Sequence, residues 1–142
     1  MQISRKADYA LRAMVILAGA SPDRSLQAQE LAETGAIPAK FLEQILLLLK
    51  RADILQSKRG VGGGYRLNRE ARNISLADVV ETVDGELVRL ADAERYPQFS
   101  GAEGLDSSLK QAEEAVNSRL RAISIEDVIK FGSGEVMAGA GI

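Results

Sequence analysis

The stretch PAKFLEQILLLLKRADILQSKRGVGGGYRL, residues 38–67, decides the fold. Pro38 fixes its own φ and has no amide hydrogen, which suits the first position of a helix, here running to about Ala52. Along it Phe41, Leu42, Ile45, Leu46, Leu48 and Leu49 form an apolar face. Lys40, Glu43, Gln44, Leu47 and Arg51 recur at steps of three and four on the other. Residues 54–56 then read as a strand, SKRGVGGG as a basic, glycine-dense turn, and residues 65–67 as the returning strand. A helix with a polar face therefore runs straight into a β-hairpin.

Upstream, Ala7, Leu11, Met14, Val15, Leu17 and Ala18 give residues 4–19 a helical period, with Ser4 as N-cap and Gly19 as terminator. A second short helix over residues 26–34 ends at Gly35. Only Gly-Ala-Ile separates it from the third, which is helix-turn-helix spacing. With the hairpin behind it, the order is that of a winged helix-turn-helix, and the third helix is the candidate recognition helix. On it Glu43 can accept from cytosine N4, Gln44 can bridge adenine N6 and N7, and Lys40 and Arg51 can reach phosphate or guanine. At the hairpin tip Lys58 and Arg59 can neutralise phosphates or enter a minor groove. The wing glycines Gly60, Gly62, Gly63 and Gly64 allow positive φ and close backbone approach. Taken alone, the polar face of the third helix is equally an ordinary solvent face. The glycine run also invites comparison with a nucleotide phosphate loop, but it lacks the GK[ST] ending and enters a strand rather than a helix.

Composition narrows the classes. The 142 residues are 46% apolar, enough for one domain or one and a half, and they contain neither cysteine nor histidine. Thiolate or imidazole metal sites, disulfides and Cys or Ser/His/Asp catalysis are thereby excluded. The longest apolar run, residues 45–49, is far short of the roughly 20 residues of a membrane span. The N-terminus lacks a signal-peptide pattern, so a cytoplasmic protein is expected. The net charge of −2 hides an asymmetry: residues 1–72 hold twelve Lys/Arg against seven acids, and the remainder six against thirteen. Only the first part, at +5, is suited to a polyanion.

Beyond Asn73, Ser75 caps a helix carrying Leu76, Val79, Val80 and Val83 that closes near Asp84-Gly85. Residues 86–90 read as extended and 91–106 as a loop. A long helix over residues 107–122 carries Leu109, Ala112, Val116, Leu120 and Ile123 at steps of three and four, an a/d-like seam suited to a second copy of the chain or to packing on the chain itself. Ser124 caps a short helix over residues 125–131, and the glycine-rich residues 132–142 read as a flexible tail. The expected architecture is mainly α with a small β-hairpin wing. A DNA-binding domain spans residues 1–72 and a dimerisation or regulatory region residues 73–131.

The opening ISRKADYALRAM, the segment QELAETGAIPAKFLEQIL, the wing SKRGVGGGYRL and the following ISLADVVETVDG together resemble the Rrf-two family of bacterial winged-helix regulators, of the IscR, NsrR and CymR type, over roughly residues 1–131. The resemblance implies a homodimeric transcription factor, a repressor in the main, on a palindromic operator. Each subunit would give a recognition helix to a major groove and a wing to the flanking minor groove. It implies Glu43 and Gln44 as the base-reading pair, Arg59 as the wing arginine, Lys40 as a polar contact, and Ser4, Tyr9 and Lys58 as phosphate contacts. Tyr65 and Leu67 anchor the wing.

The family's sensors hold an iron-sulphur cluster through three cysteines in the segment matching residues 91–106, where this chain has none. Asp8 matches a carboxylate ligand of nitric-oxide-sensing relatives, but one carboxylate cannot hold a thiolate cluster, and an ion pair with Arg12 four residues on is expected instead. No cluster or other cofactor is expected. The chain is placed nearer the cluster-free members, some of which respond to a partner enzyme or a small ligand, with Tyr96 and Phe99 as candidate ligand contacts. Two departures bear on mechanism. Asp53 stands where the family usually has glycine, in a position that often demands the left-handed conformation, so a shifted helix end is expected. Leu47 and Leu48 replace small or basic residues, and Leu47 could meet a thymine methyl or a protein surface. A module of the same fold that has lost DNA recognition and binds a partner enzyme is the alternative. An enzyme is not expected, since no nucleophile, base and oxyanion donor stand at recognisable spacing.

Overall fold

The computed structural model describes residues 2–20 and 23–133. Helix α1 (Arg5–Gly19) is the centre of the molecule. Ser4 caps it by accepting from the Ala7 amide at 2.9 Å, and Ala7, Ala10, Ala13, Met14 and Leu17 are buried along it. Three fully buried alanines make one side of this helix thin, so neighbouring helices approach its backbone closely. Helices α2 (Ala28–Gly35), α3 (Ala39–Arg51), α4 (Leu76–Asp84) and α6 (Ile125–Ser133) pack around it, and α5 (Ala102–Ala122) lies against α4. Strands β1 (Leu55–Lys58) and β2 (Gly64–Leu67) form an antiparallel hairpin in which Lys58 faces Gly64 and Leu55 faces Leu67. Short 3₁₀ turns occupy Ala71–Asn73 and Ala93–Arg95. The single cluster of buried residues includes Ile74, Val79, Val80, Val83 and Ile125 beside those of α1 to β1, so the core continues across residue 72.

Several boundaries differ from the sequence reading. Helix α2 begins at Ala28 because Leu26 is held in an extended bridge to Tyr65, donating to its carbonyl at 2.9 Å and accepting from its amide at 2.7 Å. The left-handed residue that ends α2 is Ala36, at φ 52°, and Gly35 is the last helical residue. A Cβ at Gly35 would stand 2.9 Å from Ile37 Cδ1 and 3.1 Å from Ile16 Cδ1, so packing rather than φ favours glycine there. Pro38 is the N-cap of α3 and not its first helical residue. The end of α3 is not displaced: Asp53 takes the left-handed conformation at φ 60°. Its amide donates to the Lys50 carbonyl at 3.0 Å and that of Ile54 to Leu49 at 3.0 Å, the double closure of a Schellman motif with Leu49 and Ile54 both buried.

Helix α5 starts at Ala102, five residues before the expected position, because Gly101 at φ 101° redirects the chain and the Phe99 carbonyl accepts from the Ala102 amide at 3.0 Å. Its first turn carries no apolar period, so periodicity alone missed it. Residues 86–90 form no strand. Helix α6 continues to Ser133, past the expected end at Phe131, and the tail from residue 134 lies outside the described residues.

Helices α4 and α6 begin side by side. Ser75 and Ser124 bridge through Leu76 N donating to Ile123 O at 2.9 Å and Ile125 N donating to Ile74 O at 2.8 Å. Each start closes with a reciprocal box: Ser75 Oγ accepts from Asp78 N while Asp78 accepts from Ser75 N, and Ser124 and Asp127 repeat it. The Asp127 carboxyl is held below its ordinary range, chiefly by the hydrogen bond from the Ser124 amide.

Candidate nucleic-acid interface

Helix α3 buries Leu42, Ile45, Leu46 and Leu49, each at most 1% exposed. The period of 3.6 then leaves Lys40, Glu43, Gln44, Leu47, Lys50 and Arg51 on the outside, and all six are exposed. Two members of the expected apolar face depart from it. Phe41 is 43% exposed and stacks obliquely on Tyr9, ring centroids 5.8 Å apart, while Leu48 is half-buried at the edge of the core. Tyr9 in turn carries the Arg12 guanidinium over its ring at 5.2 Å. Arg12 also pairs with Asp8 at 2.6 Å, as the sequence predicts, and donates to the Gly35 carbonyl at 3.1 Å, which fixes α1 against the turn before α3.

The wing is docked by backbone. β2 pairs with β1 on one side and with Leu26 on the other, and Gln27 Nε2 donates to the Gly63 carbonyl at 2.9 Å. Gly60, Gly62 and Gly64 have positive φ; Gly63 does not, and its constraint is steric, since a Cβ there would lie 2.3 Å from the Lys58 carbonyl oxygen. Tyr65 and Leu67 pack on the core as anchors. The tip is left to Lys58, Arg59 and a fully exposed Val61.

The cations divide by position. Arg12, Arg24 and Arg72 pair with Asp8, Glu30 and Glu70, Arg66 donates to Gln56 Oε1 at 3.5 Å, and Arg69 donates to the Ala52 carbonyl at 3.2 Å. The side chains of Lys40, Lys50 and Arg51 on α3 and of Lys58 and Arg59 on the wing have no hydrogen bond or ion pair among the described residues. The same holds for Arg5 and Lys6 at the start of α1. Ser4 is differently employed. Its hydroxyl donates to the Asp84 carboxylate at 2.8 Å while capping α1, so it joins the end of α4 to the start of α1 and has no hydrogen left for a phosphate.

On the far side, α5 buries none of its residues. Asp106, Leu109, Glu113, Asn117 and Leu120 are half-buried against the chain's own body, while Leu105, Ala112 and Val116 face outward, so the expected seam is divided between the two sides. Leu105 extends its exposed part by two turns and lies before the helix start expected from periodicity. Ile123 is the C-cap. Two polar residues of α5 replace the strand partner that residues 86–90 lack. Asn117 Oδ1 accepts from Val88 N and its Nδ2 donates to Val88 O, both at 3.0 Å, and Glu113 Oε1 accepts from Leu90 N at 2.7 Å. Tyr96 lines a cavity of about 140 Å³ with Gln98, Ala102, Glu103 and Asp106, below the roughly 300 Å³ of a usual ligand site, and Phe99 is half exposed outside it.

Residues 3–130 match the model of a family described as "Iron-dependent Transcriptional regulator", Rrf2. The chain belongs to the Rrf2 family. Its Rrf2 relatives include an HTH-type transcriptional regulator of Mycobacterium tuberculosis, 42% identical over 92 residues, covering 65% of this chain and 57% of that one. The HTH-type transcriptional regulator IscR of Xenorhabdus nematophila is 33% identical over 135 residues, covering 92% of this chain and 80% of the relative. The structure of CymR, the global cysteine regulator of B. subtilis, superposes with a TM-score of 0.79 at 24% identity, over 92% of this chain and 98% of that one, which establishes the fold. The chain thus spans a little over half the length of the Mycobacterium relative. The family and these relatives are regulators of transcription, not enzymes.

An iron-sulphur cluster does not fit the donors of this Rrf2 chain. There is no thiol, Asp8 is engaged by Arg12, and no three Asp or Glu side chains converge among the described residues. Nor is any helix among those residues long and apolar enough to cross a membrane.

Proposed function

We propose that this chain is a sequence-specific DNA-binding regulator that acts as a homodimer on a two-fold operator and represses without a cluster. The observation that carries this reading is the division of cations. The guanidinium groups of Arg12, Arg24 and Arg72 are neutralised within the chain, whereas the ammonium and guanidinium groups of the recognition helix and the wing tip are unpaired. Unpaired Lys and Arg on one surface form an electrostatic footprint for a polyanion. In this assignment Glu43 and Gln44 read base edges in the major groove, and Lys40, Arg51, Lys58 and Tyr9 contact the backbone. Arg59 enters the minor groove, where a narrow A·T-rich stretch attracts a guanidinium. Ser4 acts as a cap. The outward stripe of Leu105, Ala112 and Val116 is the dimer seam, because a helix of 21 residues with none buried leaves apolar surface uncovered.

The test is a gel shift on a fragment selected from the source genome, at two salt concentrations. Arg59→Ala and Gln44→Ala should each cost about 1 to 3 kcal/mol of specific binding, and Arg59→Ala should flatten the salt dependence by about one counterion. Unchanged affinity and salt slope in Arg59→Ala would remove the wing from the interface. Binding that is sequence-blind and lost at the higher salt would favour the alternative of a protein-interaction module.

A further inference from the structure

The leucine run of α3 is divided three to one. Leu46 and Leu49 are 1% and 0% exposed, Leu48 packs at the core's edge, and Leu47 is 47% exposed. The fold gives the first three a place and Leu47 none. One turn before it stand Glu43 and Gln44, and one turn after it Lys50 and Arg51, all exposed. The other exposed apolar side chain of the helix, Phe41, lies about 120° away around the axis and is occupied with Tyr9. Leu47 is therefore a single apolar side chain ringed by charges and an amide. A protein-docking surface needs a contiguous apolar patch, and none is formed here.

The geometry points to Leu47 as a specificity-determining residue that packs on the C5-methyl group of thymine. This rests on the DNA-binding reading and deepens it. Among base edges in the major groove the thymine methyl is the one apolar feature, and cytosine has only a hydrogen at the same ring position, with its N4 donor where thymine has O4. Gln44, one turn earlier on the same face, suits adenine through N6 and N7. The half-site should then hold a required thymine within a base pair or two of an adenine read by Gln44.

The experiment uses the full chain and an operator selected from genomic or random fragments. Each thymine of one half-site is replaced in turn by deoxyuridine, which removes the methyl and keeps the base pairing. Wild type should lose affinity about fourfold at one position, the worth of one buried methyl. Leu47→Ala should bind the unmodified operator correspondingly more weakly and show no response to deoxyuridine at that position. Its urea midpoint should match wild type because Leu47 is outside the core. A selected operator with no methyl-sensitive thymine, or one whose sensitivity persists in Leu47→Ala, overturns the assignment while leaving DNA binding intact. Selection that yields no consensus overturns both.

Discussion

Gly64→Ala tests whether the wing is held by backbone docking. The residue sits at φ 129°, and a Cβ there would stand 2.4 Å from Leu26 O, 2.6 Å from Leu26 C and 3.0 Å from Gln27 N, all main-chain atoms that no rotamer change can move. Relief requires β2 to part from Leu26. That breaks the two Leu26–Tyr65 hydrogen bonds of 2.9 and 2.7 Å and strains the Gln27 bond to Gly63 at 2.9 Å. Three hydrogen bonds at about 1 kcal/mol each, with about 1 to 3 kcal/mol for the backbone conformation, give a loss of roughly 4 to 6 kcal/mol. Gly62→Ala is the control. Its φ of 75° is also left-handed, but nothing lies within 4 Å, so the backbone cost of about 1 to 2 kcal/mol stands alone. Urea unfolding followed by circular dichroism gives both values if the slope is unchanged, and hydrogen exchange at the Leu26 and Tyr65 amides locates the damage. Equal losses in the two variants, or full protection of those amides in Gly64→Ala, would refute the docking argument.

Ala36→Gly should raise stability by about 1 kcal/mol by relieving a left-handed alanine, read from the urea midpoint. Asn117→Ala should cost about 2 kcal/mol, one for each hydrogen bond to Val88, and should speed exchange of the Val88 amide; unchanged exchange would dismiss the latch. Asp127→Asn should be destabilising at neutral pH. Because the folded carboxyl titrates below the unfolded value of 3.8, its contribution is complete above that value and disappears as pH falls through the lower, folded one. The two proteins should therefore converge in stability in strong acid, as an acid-unfolding series would show.

Much of the architecture was legible because its signals are local. Ser4, Ser75 and Ser124 stand where caps are required, and the leucines of α3 report a helical period, whereas the shifted helix end expected at Asp53 does not occur. The Ser-x-x-Asp boxes at residues 75–78 and 124–127 were equally local and went unread. What escaped depends on distant partners. The start of α2 is set by Tyr65, the role of Ser4 by Asp84 eighty residues away, and the course of residues 86–91 by Glu113 and Asn117 on α5. None of these pairings leaves a periodicity in the chain.

The sequence by itself determined the order helix, helix, helix, hairpin. It also determined the absence of a thiolate donor and the surplus of cations in residues 1–72, since periodicity, residue chemistry and charge are properties of the chain. Tertiary structure alone decided which cations beyond Arg12 are neutralised, that Phe41 stands outside the core on Tyr9, and which side of α5 remains uncovered. Each depends on what another part of the chain brings within a few ångströms, and packing sets that proximity after the helices and strands have formed.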